Sequence, residues 1–458
     1  MQFFATLVIV IVKYQSISSF TSKAHTNIRF LQRSFHHSRL FLVRYRATFH
    51  HYRLFSSTST SNIIDNTNIT DKMTLPQSIA TAKIEPHILN NEYTEIETKA
   101  KLVPCTSLKQ CAERILQNKL VSFPTETVYG LGANGLSPTA IEKIYIAKGR
   151  PKTSPLILHV LSIDDALKLW NITNDEERHV LVGLCRAFFP GPLTLISKAN
   201  DSVPDVVTAN TGFVAVRSPS HPIARELLSY SEGIPIAAPS ANKFGHVSPT
   251  KAQHVYNDLY NEDVWIINED NEQQKIGVES TVAKVDADNH VISILRHGVV
   301  SSYDIYKCLE NLNLDNVYTI QNMVQSHSKE KNHVSPGQTT RHYTPNIPCY
   351  MLSSTPILTN SQIEILNQCI IIDYNQALIK YKDHVLYYKD LSSDGNSQDA
   401  TSELFDTLRW AESVDQSVQR IYVPDILVGE DMDKDSLTLA LKDRLTRAAS
   451  GCVVSKIE

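Results

Sequence analysis

The residues of this chain best suited to chemistry begin with two cations one residue apart, Lys148 and Arg150, flanking Gly149. Cations at that spacing, set among hydroxyl-rich turns, suit a polyanionic ligand such as a nucleotide, because each holds phosphate oxygens through charge-assisted hydrogen bonds. Other polar residues recur where apolar runs end. Thr125 and Thr127 follow Leu120 to Phe123, Arg217 follows Val214-Ala-Val216, and Ser240 and Asn242 follow Ile234 to Ala238. Ser248 and Thr250 open a helical pattern, Ser280 and Thr281 follow Gly277-Val-Glu279, and Arg296 closes Ile294-Leu295. A serine at a turn is commonly a local cap, and an arginine after a strand is commonly a solvated charge. Repetition at strand ends is what points to one crevice, where cations, hydroxyls and an amide converge on a phosphorylated ligand and a smaller polar substrate.

Several familiar sites are excluded. No Gly-x-x-x-x-Gly-Lys-Ser/Thr loop occurs, and Gly130-Leu-Gly132 lacks the third glycine of a dinucleotide fingerprint, Gly135 being at the wrong step. No His-Glu-x-x-His or clustered His/Cys set indicates a metal held by protein alone, and no serine lies in Gly-x-Ser-x-Gly. Direct transfer between bound substrates, with ATP bringing magnesium, is the chemistry expected in their place.

The elements that must position these groups are read from periodicity. Leu120 to Phe123 is a strand ended by Pro124. Ser137 and Pro138 form an N-cap and first helical position, and Ile141, Ile144 and Tyr145 continue a helix to Lys148 with Gly149 as its stop. That placement also offers a structural explanation of Lys148, as a cation complementing the helix dipole. Strands are expected at 155–160, 193–197, 214–216, 234–238, 264–267, 280–285 and 291–295, with helices near 175–188, 221–231 and 250–259. The result is a mixed α/β domain of roughly two hundred residues, a size natural for one core.

Bulk properties bound the rest. The 458 residues are 42% hydrophobic and 20% charged, enough for two or three cores. Residues 1–72 hold nine Lys/Arg against only Asp65 and Asp71; the remainder holds 35 Lys/Arg against 46 Asp/Glu. An acidic body disfavours broad nonspecific nucleic-acid binding, though small local basic patches remain open to it. Seven widely spaced cysteines with no Cys-x-x-Cys pair argue against a structural zinc site or a secreted disulfide framework.

The basic N-terminal stretch has the composition of a mitochondrial presequence, with Arg29, Arg33, Arg39, Arg44, Arg46 and Arg53 among Ser, Thr, Phe and Leu. An inert basic tail has the same composition. A secretory core at Phe3 to Val12 is the weaker reading, since no basic residue precedes it, and that run is too short to span a bilayer. Initiation at Met73 would remove almost all of the basic segment, so a cytoplasmic and mitochondrial distribution is expected.

Ordered blocks carry a family resemblance. Phe123-Pro-Thr-Glu-Thr-Val-Tyr-Gly-Leu-Gly132, Ala147-Lys-Gly-Arg-Pro151 and Pro155-Leu-Ile-Leu-His159 resemble the opening of the YrdC-like domain. Phe189-Pro-Gly-Pro-Leu-Thr194, Val214-Ala-Val-Arg217, Ala238-Pro-Ser-Ala-Asn242, Ser248-Pro-Thr250, Gly277-Val-Glu-Ser-Thr-Val282 and Ile294-Leu-Arg296 continue it in order. Ser335-Pro-Gly337 and His342-Tyr-Thr-Pro345 resemble the linker of the longer threonylcarbamoyl-AMP synthases, which precedes a small Rossmann-like domain. Gln338-Thr339-Thr340 departs from the family's Met-Lys-Tyr at that point.

The resemblance implies a twisted mixed sheet with a concave basic cleft in residues 100–317, a linker at 318–345 and a Rossmann-like α/β domain at 346–458. It implies synthesis of threonylcarbamoyl-AMP and diphosphate from L-threonine, bicarbonate and ATP with Mg²⁺. The product would pass to a separate tRNA threonylcarbamoyl transferase complex. The family's reacting-site positions fall on Lys148, Arg150, Ser240 and Asn242. Its nucleotide positions fall on Arg150, Ser154, Ser240, Ser248, Arg296 and Tyr343, and its threonine positions on Thr127, His159, Arg217, Ala238 and Ser280. An RNA-binding module using the same cleft, or a carbamoyl-group transferase, are the alternatives. The absence of paired cysteines and of a recognisable extra N-terminal domain weighs against the transferase.

Overall fold

A computed structural model describes residues 98–269, 276–323, 335, 342–354, 358–426 and 435–457. The presequence-like segment, Met73, and the linker positions Pro336 to Arg341 lie outside the described residues. The larger sheet is built from β1 (Lys101–Pro104), β2 (Leu120–Phe123), β3 (Gly130–Asn134), β4 (Ile157–His159), β5 (Leu193–Lys198) and β6 (Phe213–Arg217). It is completed by β7 (Ile236–Ala237), β8 (Val264–Asn268), β9 (Thr281–Asp286), β10 (Val291–Arg296) and β11 (Thr319–Asn322). In space the order is β1-β8-β2-β3-β7-β4-β6-β5-β9-β10-β11. Parallel pairs such as β4–β6 and β5–β9 alternate with antiparallel ones such as β2–β3 and β5–β6.

Local chemistry explains the elements nearest the candidate cations. Ser137 caps the helix Pro138–Lys148 by accepting from the Ala140 amide, Pro138 occupies the first turn, and Gly149 ends it at φ +63°. Gly149 therefore turns the chain so that Arg150 leaves the helix axis. β3 runs directly through Gly130 and Gly132. A Cβ at Gly132 would stand 2.8 Å from the Phe123 ring and 3.1 Å from the Val121 carbonyl, so these glycines serve a close strand approach. β7 is only two residues long, shorter than the expected 234–238, because Pro235 and Pro239 flank it and neither can donate a ladder hydrogen bond.

Apolar clusters cover both sides of this sheet: Leu131, Ile141, Leu158, Leu184 and Val216 belong to one, and Cys111, Ile115, Phe123, Leu227 and Ile236 to another. The helix Leu108–Leu116, which supplies Cys111 and Ile115, was not anticipated. Nor was β11, which pairs in parallel with β10 inside the stretch assigned to the linker.

The smaller sheet holds β12 (Cys349–Leu352), β13 (Cys369–Asp373), β14 (Tyr387–Asp390), β15 (Arg420–Pro424) and β16 (Val453–Val454). Its order is β14-β13-β15-β12-β16, with every pairing parallel. The helices Ser397–Ser413 and Ser436–Ala448 pack beside it. Parallel strands need crossover elements, which is how a Rossmann-like layer arises here. The lobes share one apolar cluster, in which Val128, Val247 and Val278 pack with Tyr343, Phe405 and Leu441.

Candidate active site

Strand ends and turns of the larger sheet enclose a cleft of about 560 Å³, part of it open to solvent. Thr125 and Thr127 come from the turn before β3, Gly130 from the start of β3, Ile157 and His159 from β4, and Arg217 from the end of β6. Ala238, Pro239 and Ser240 follow β7, while Glu279 and Arg296 bracket the β9–β10 hairpin. Arg150 and His342 complete the polar lining.

Three guanidinium groups line this space, and their partners differ. Arg217 donates to Thr127 Oγ1 at 3.0 Å and to the Gly191 carbonyl at 3.3 Å. Its second terminal nitrogen lies 2.8 Å from Glu126 Oε1, both side chains being buried. Burial opposes ionisation of Glu126, but the adjacent Arg217 overcomes it and lowers the carboxyl pKa. Thr127 stands 2.9 Å from Thr125 Oγ1, which donates onward to the Val128 carbonyl at 2.6 Å. Arg217 is thus locked and locally neutralised.

Arg150 and Arg296 hydrogen-bond to neutral acceptors instead. Arg150 reaches Ser154 Oγ at 2.6 Å and the Pro155 carbonyl at 2.9 Å. Arg296 reaches the Ser280 carbonyl at 3.0 Å and Ser280 Oγ at 3.1 Å. Burial and the mutual repulsion of the two bring Arg150 down to about 10, still charged at neutral pH, and burial also lowers Arg296. Such a cleft attracts anions.

The neutral groups are equally constrained. Burial, reinforced by Arg217, depresses the His159 pKa to about 3, and burial does the same to His342. Both imidazoles are neutral at physiological pH. Ser240 donates to Asn242 Oδ1 at 2.6 Å, and the Asn242 amide donates to the Lys243 and His246 carbonyls at 2.8 Å. Asn242 shapes the loop that presents Ser240.

A family model named for Sua5, YciO and YrdC and described as "Telomere recombination" matches residues 113–298. A second, described as "Threonylcarbamoyl-AMP synthase, C-terminal domain", matches residues 300–450. A Bacillus subtilis threonylcarbamoyl-AMP synthase is 33% identical over 76% of this chain and 94% of its own length. One from Pyrococcus abyssi is 35% identical over 75% and 94%. The chain belongs to the threonylcarbamoyl-AMP synthase family. A crystal structure of P. abyssi Sua5 complexed with L-threonine superposes with a TM-score of 0.62 at 29% identity, covering 78% of this chain and 98% of that one. The expected combination of a mixed sheet and a second α/β domain is the architecture found.

Within this synthase family member the expected site residues separate into two groups. Thr127, Arg150, His159, Arg217, Ala238, Ser240 and Arg296 all line the cleft. Lys148, Ser154, Asn242, Ser248, Ser280 and Tyr343 are not among its lining residues. The buried Lys148 ammonium donates to the Ser240 carbonyl at 2.5 Å and to the Asn242 carbonyl, while the Phe244 amide returns to the Lys148 carbonyl at 2.8 Å. Burial, then repulsion from Arg150, pulls its pKa well below the usual lysine range. Ser154 and Ser280 fix Arg150 and Arg296 from behind, and Thr194 Oγ1 lies 2.7 Å from Ser280 Oγ. Ser248 donates to Glu279 Oε1 at 2.6 Å. Tyr343 stacks on Phe405 with ring centroids 5.2 Å apart.

Glu126 and Glu279 carried no role in the sequence reading, although both sit inside quoted blocks. Their importance comes from buried cations brought in by distant segments, for which linear spacing holds no signal.

Proposed function

We propose that this protein makes L-threonylcarbamoyl-AMP and diphosphate from L-threonine, bicarbonate and ATP. The observation that carries this reading is that one cleft holds Arg150 and Arg296, two guanidiniums bonded to neutral acceptors, together with the set Thr127–Arg217–Glu126. Arg150 and Arg296 offer net positive charge to phosphates. Thr127 and Arg217 offer a rigid hydroxyl and guanidinium set to an amino acid carboxylate.

The amine of threonine first adds to carbon dioxide with loss of a proton, or condenses with bicarbonate with loss of water, to form a carbamate. Water is therefore the third product of the overall reaction from bicarbonate. A carbamate oxygen then attacks the α-phosphorus, and the bond to the β-phosphate oxygen breaks to release diphosphate. Both steps require orientation and charge compensation rather than a protein nucleophile. Arg217 and Thr127 orient threonine, Arg150 and Arg296 compensate phosphate charge, and Ser240, held by the Lys148-tied loop, borders the reacting groups. Neutral His159 accepts or donates a hydrogen bond without adding charge. Magnesium comes with ATP: both Glu279 oxygens are already engaged, by Ser248 and Arg444, so that carboxylate is not a free cation ligand.

The product serves a separate transferase in tRNA modification, and the acidic body is consistent with no stable tRNA complex of its own. The basic segment before Met73 supports mitochondrial as well as cytoplasmic placement. Pyrophosphate release from ATP, with threonine and bicarbonate omitted in turn, tests the activity. Release that requires both supports it, and release independent of threonine contradicts it.

A further inference from the structure

Glu279 is an anomaly in a cleft that must attract ATP. Its carboxylate lines the same space as Arg150 and Arg296, it is buried, and it is held ionised. An ionised carboxylate there would compete with phosphate for the Arg296 guanidinium. The fully buried Arg444, on the helix Ser436–Ala448 of the second lobe, answers it. Arg444 Nε and Nη2 lie 3.3 and 3.2 Å from Glu279 Oε2, while Ser248 takes Oε1. Arg444 Nη1 also donates at 2.7 Å to the carbonyl of His297, the residue after Arg296. Ser436, at the start of the same helix, donates to the carbonyls of Gly298 and Val299 at 2.7 and 2.9 Å. The helix therefore grips the turn following Arg296 and occupies the cleft acid whose charge acts on that arginine.

We infer that Arg444 is a positioning residue for ATP binding: by pairing Glu279 it keeps Arg296 available to the nucleotide. The inference rests on the ATP reading of the cleft. It makes the second lobe part of the active site's charge arrangement rather than only a neighbour of it. Without Arg444, Glu279 keeps its Ser248 bond but loses its cation, and Arg296, the other arginine whose charge acts on it, becomes the replacement.

The test uses the full chain in the pyrophosphate assay, with separate KM values for ATP and threonine. R444M is expected to raise KM for ATP roughly tenfold or more, the scale of one charged hydrogen bond, with KM for threonine changed less than about twofold. Adding E279Q removes the charge that captures Arg296, so R444M/E279Q is expected to regain most of the ATP affinity. D406N is the control. It breaks the contacts of Asp406 with Lys251 and His254 between the lobes, away from Glu279, and is expected to leave KM for ATP unmoved. Equal effects of R444M and D406N on both substrates, or no recovery in the double variant, would make Arg444 a lobe clamp only and overturn the inference. If R444M alone does not fold, R444M/E279Q is compared with E279Q, and a large remaining rise in KM for ATP is the overturning result. A wild-type protein whose pyrophosphate release ignores threonine would instead refute the synthase reading itself.

Discussion

At the scale of single residues, Lys148 and Arg150 do different things despite their adjacency. Arg150 faces the cleft, and its partners, the Ser154 hydroxyl and the Ser154 and Pro155 carbonyls, are neutral. Arg150→Met is expected to raise KM for ATP by about tenfold or more, because a charged hydrogen bond to phosphate is worth about 1.5–3 kcal/mol, and to lower the melting temperature as well, because the Ser154 and Pro155 carbonyls lose their donor. Kinetics and thermal unfolding together check this. Lys148 instead ties two carbonyls of the Ser240 loop. Lys148→Met leaves them unsatisfied, so a loss of about 2 kcal/mol in denaturant unfolding should accompany a lower kcat. Unchanged stability with abolished activity would return Lys148 to direct ligand contact. Sequence periodicity placed both residues correctly at a helix end. It could not say which would turn inward, because that depends on Gly149 and on a loop 92 residues away.

Between elements, the two lobes meet through buried ion pairs that no local pattern announces. His246 stands between Asp258 on the first lobe, at 2.9 Å, and Glu412 on the second, at 3.1 Å. Burial alone would lower its pKa, but hydrogen bonds to the two carboxylates outweigh it and raise the value to about 9. A raised histidine pKa stabilises the folded state fully below the unfolded value near 6.5, and that stabilisation is lost as pH rises through about 9. Up to about 3 kcal/mol is at stake. Urea midpoints measured from pH 6.5 to 9.5 should fall in the wild type and fall less in His246→Gln. Gly277 makes the opposite kind of contact. At φ +79° its missing Cβ makes room for the Thr401 carbonyl and Ser402 backbone of the second lobe. Gly277→Ala is expected to cost about 3 kcal/mol or more, from backbone strain and the collision together, read as a lower denaturation midpoint.

For the whole molecule, the acidic charge balance is the ground for expecting no stable complex with tRNA. The chain beyond residue 72 holds 35 Lys/Arg against 46 Asp/Glu, and of the cationic cleft groups Arg150 and Arg217 are buried and Arg296 is partly buried. Fluorescence anisotropy with tRNA at physiological salt should detect no stable complex, and added tRNA should leave pyrophosphate release unchanged. Tight, salt-sensitive binding would require a basic face, contrary to that balance. Among the described residues no helix is long and apolar enough to cross a membrane. Dual placement is tested separately, by N-terminal mass spectrometry of each compartment: a product beginning near Met73 in the cytoplasm supports it, and products of Met1 alone contradict it.

The sequence by itself determined what depends on neighbours along the chain. Ser137-Pro138 and Gly149 bounded a helix, apolar runs became strands, and of the polar residues at their ends Thr125, Thr127, Arg217, Ser240 and Arg296 returned as cleft lining. Caps, prolines and periodicity act over a few residues, so they survive without knowledge of the fold. Tertiary structure alone decided the charge logic. Glu279 is paired by Arg444 from 165 residues away, and Arg217 by Glu126 across strands, whereas the hydrogen-bond acceptors of Arg150 and Arg296 among the described residues are neutral. A charge's effect is set by which opposite charge shares its low-dielectric surroundings. That proximity comes from sheet order and lobe docking.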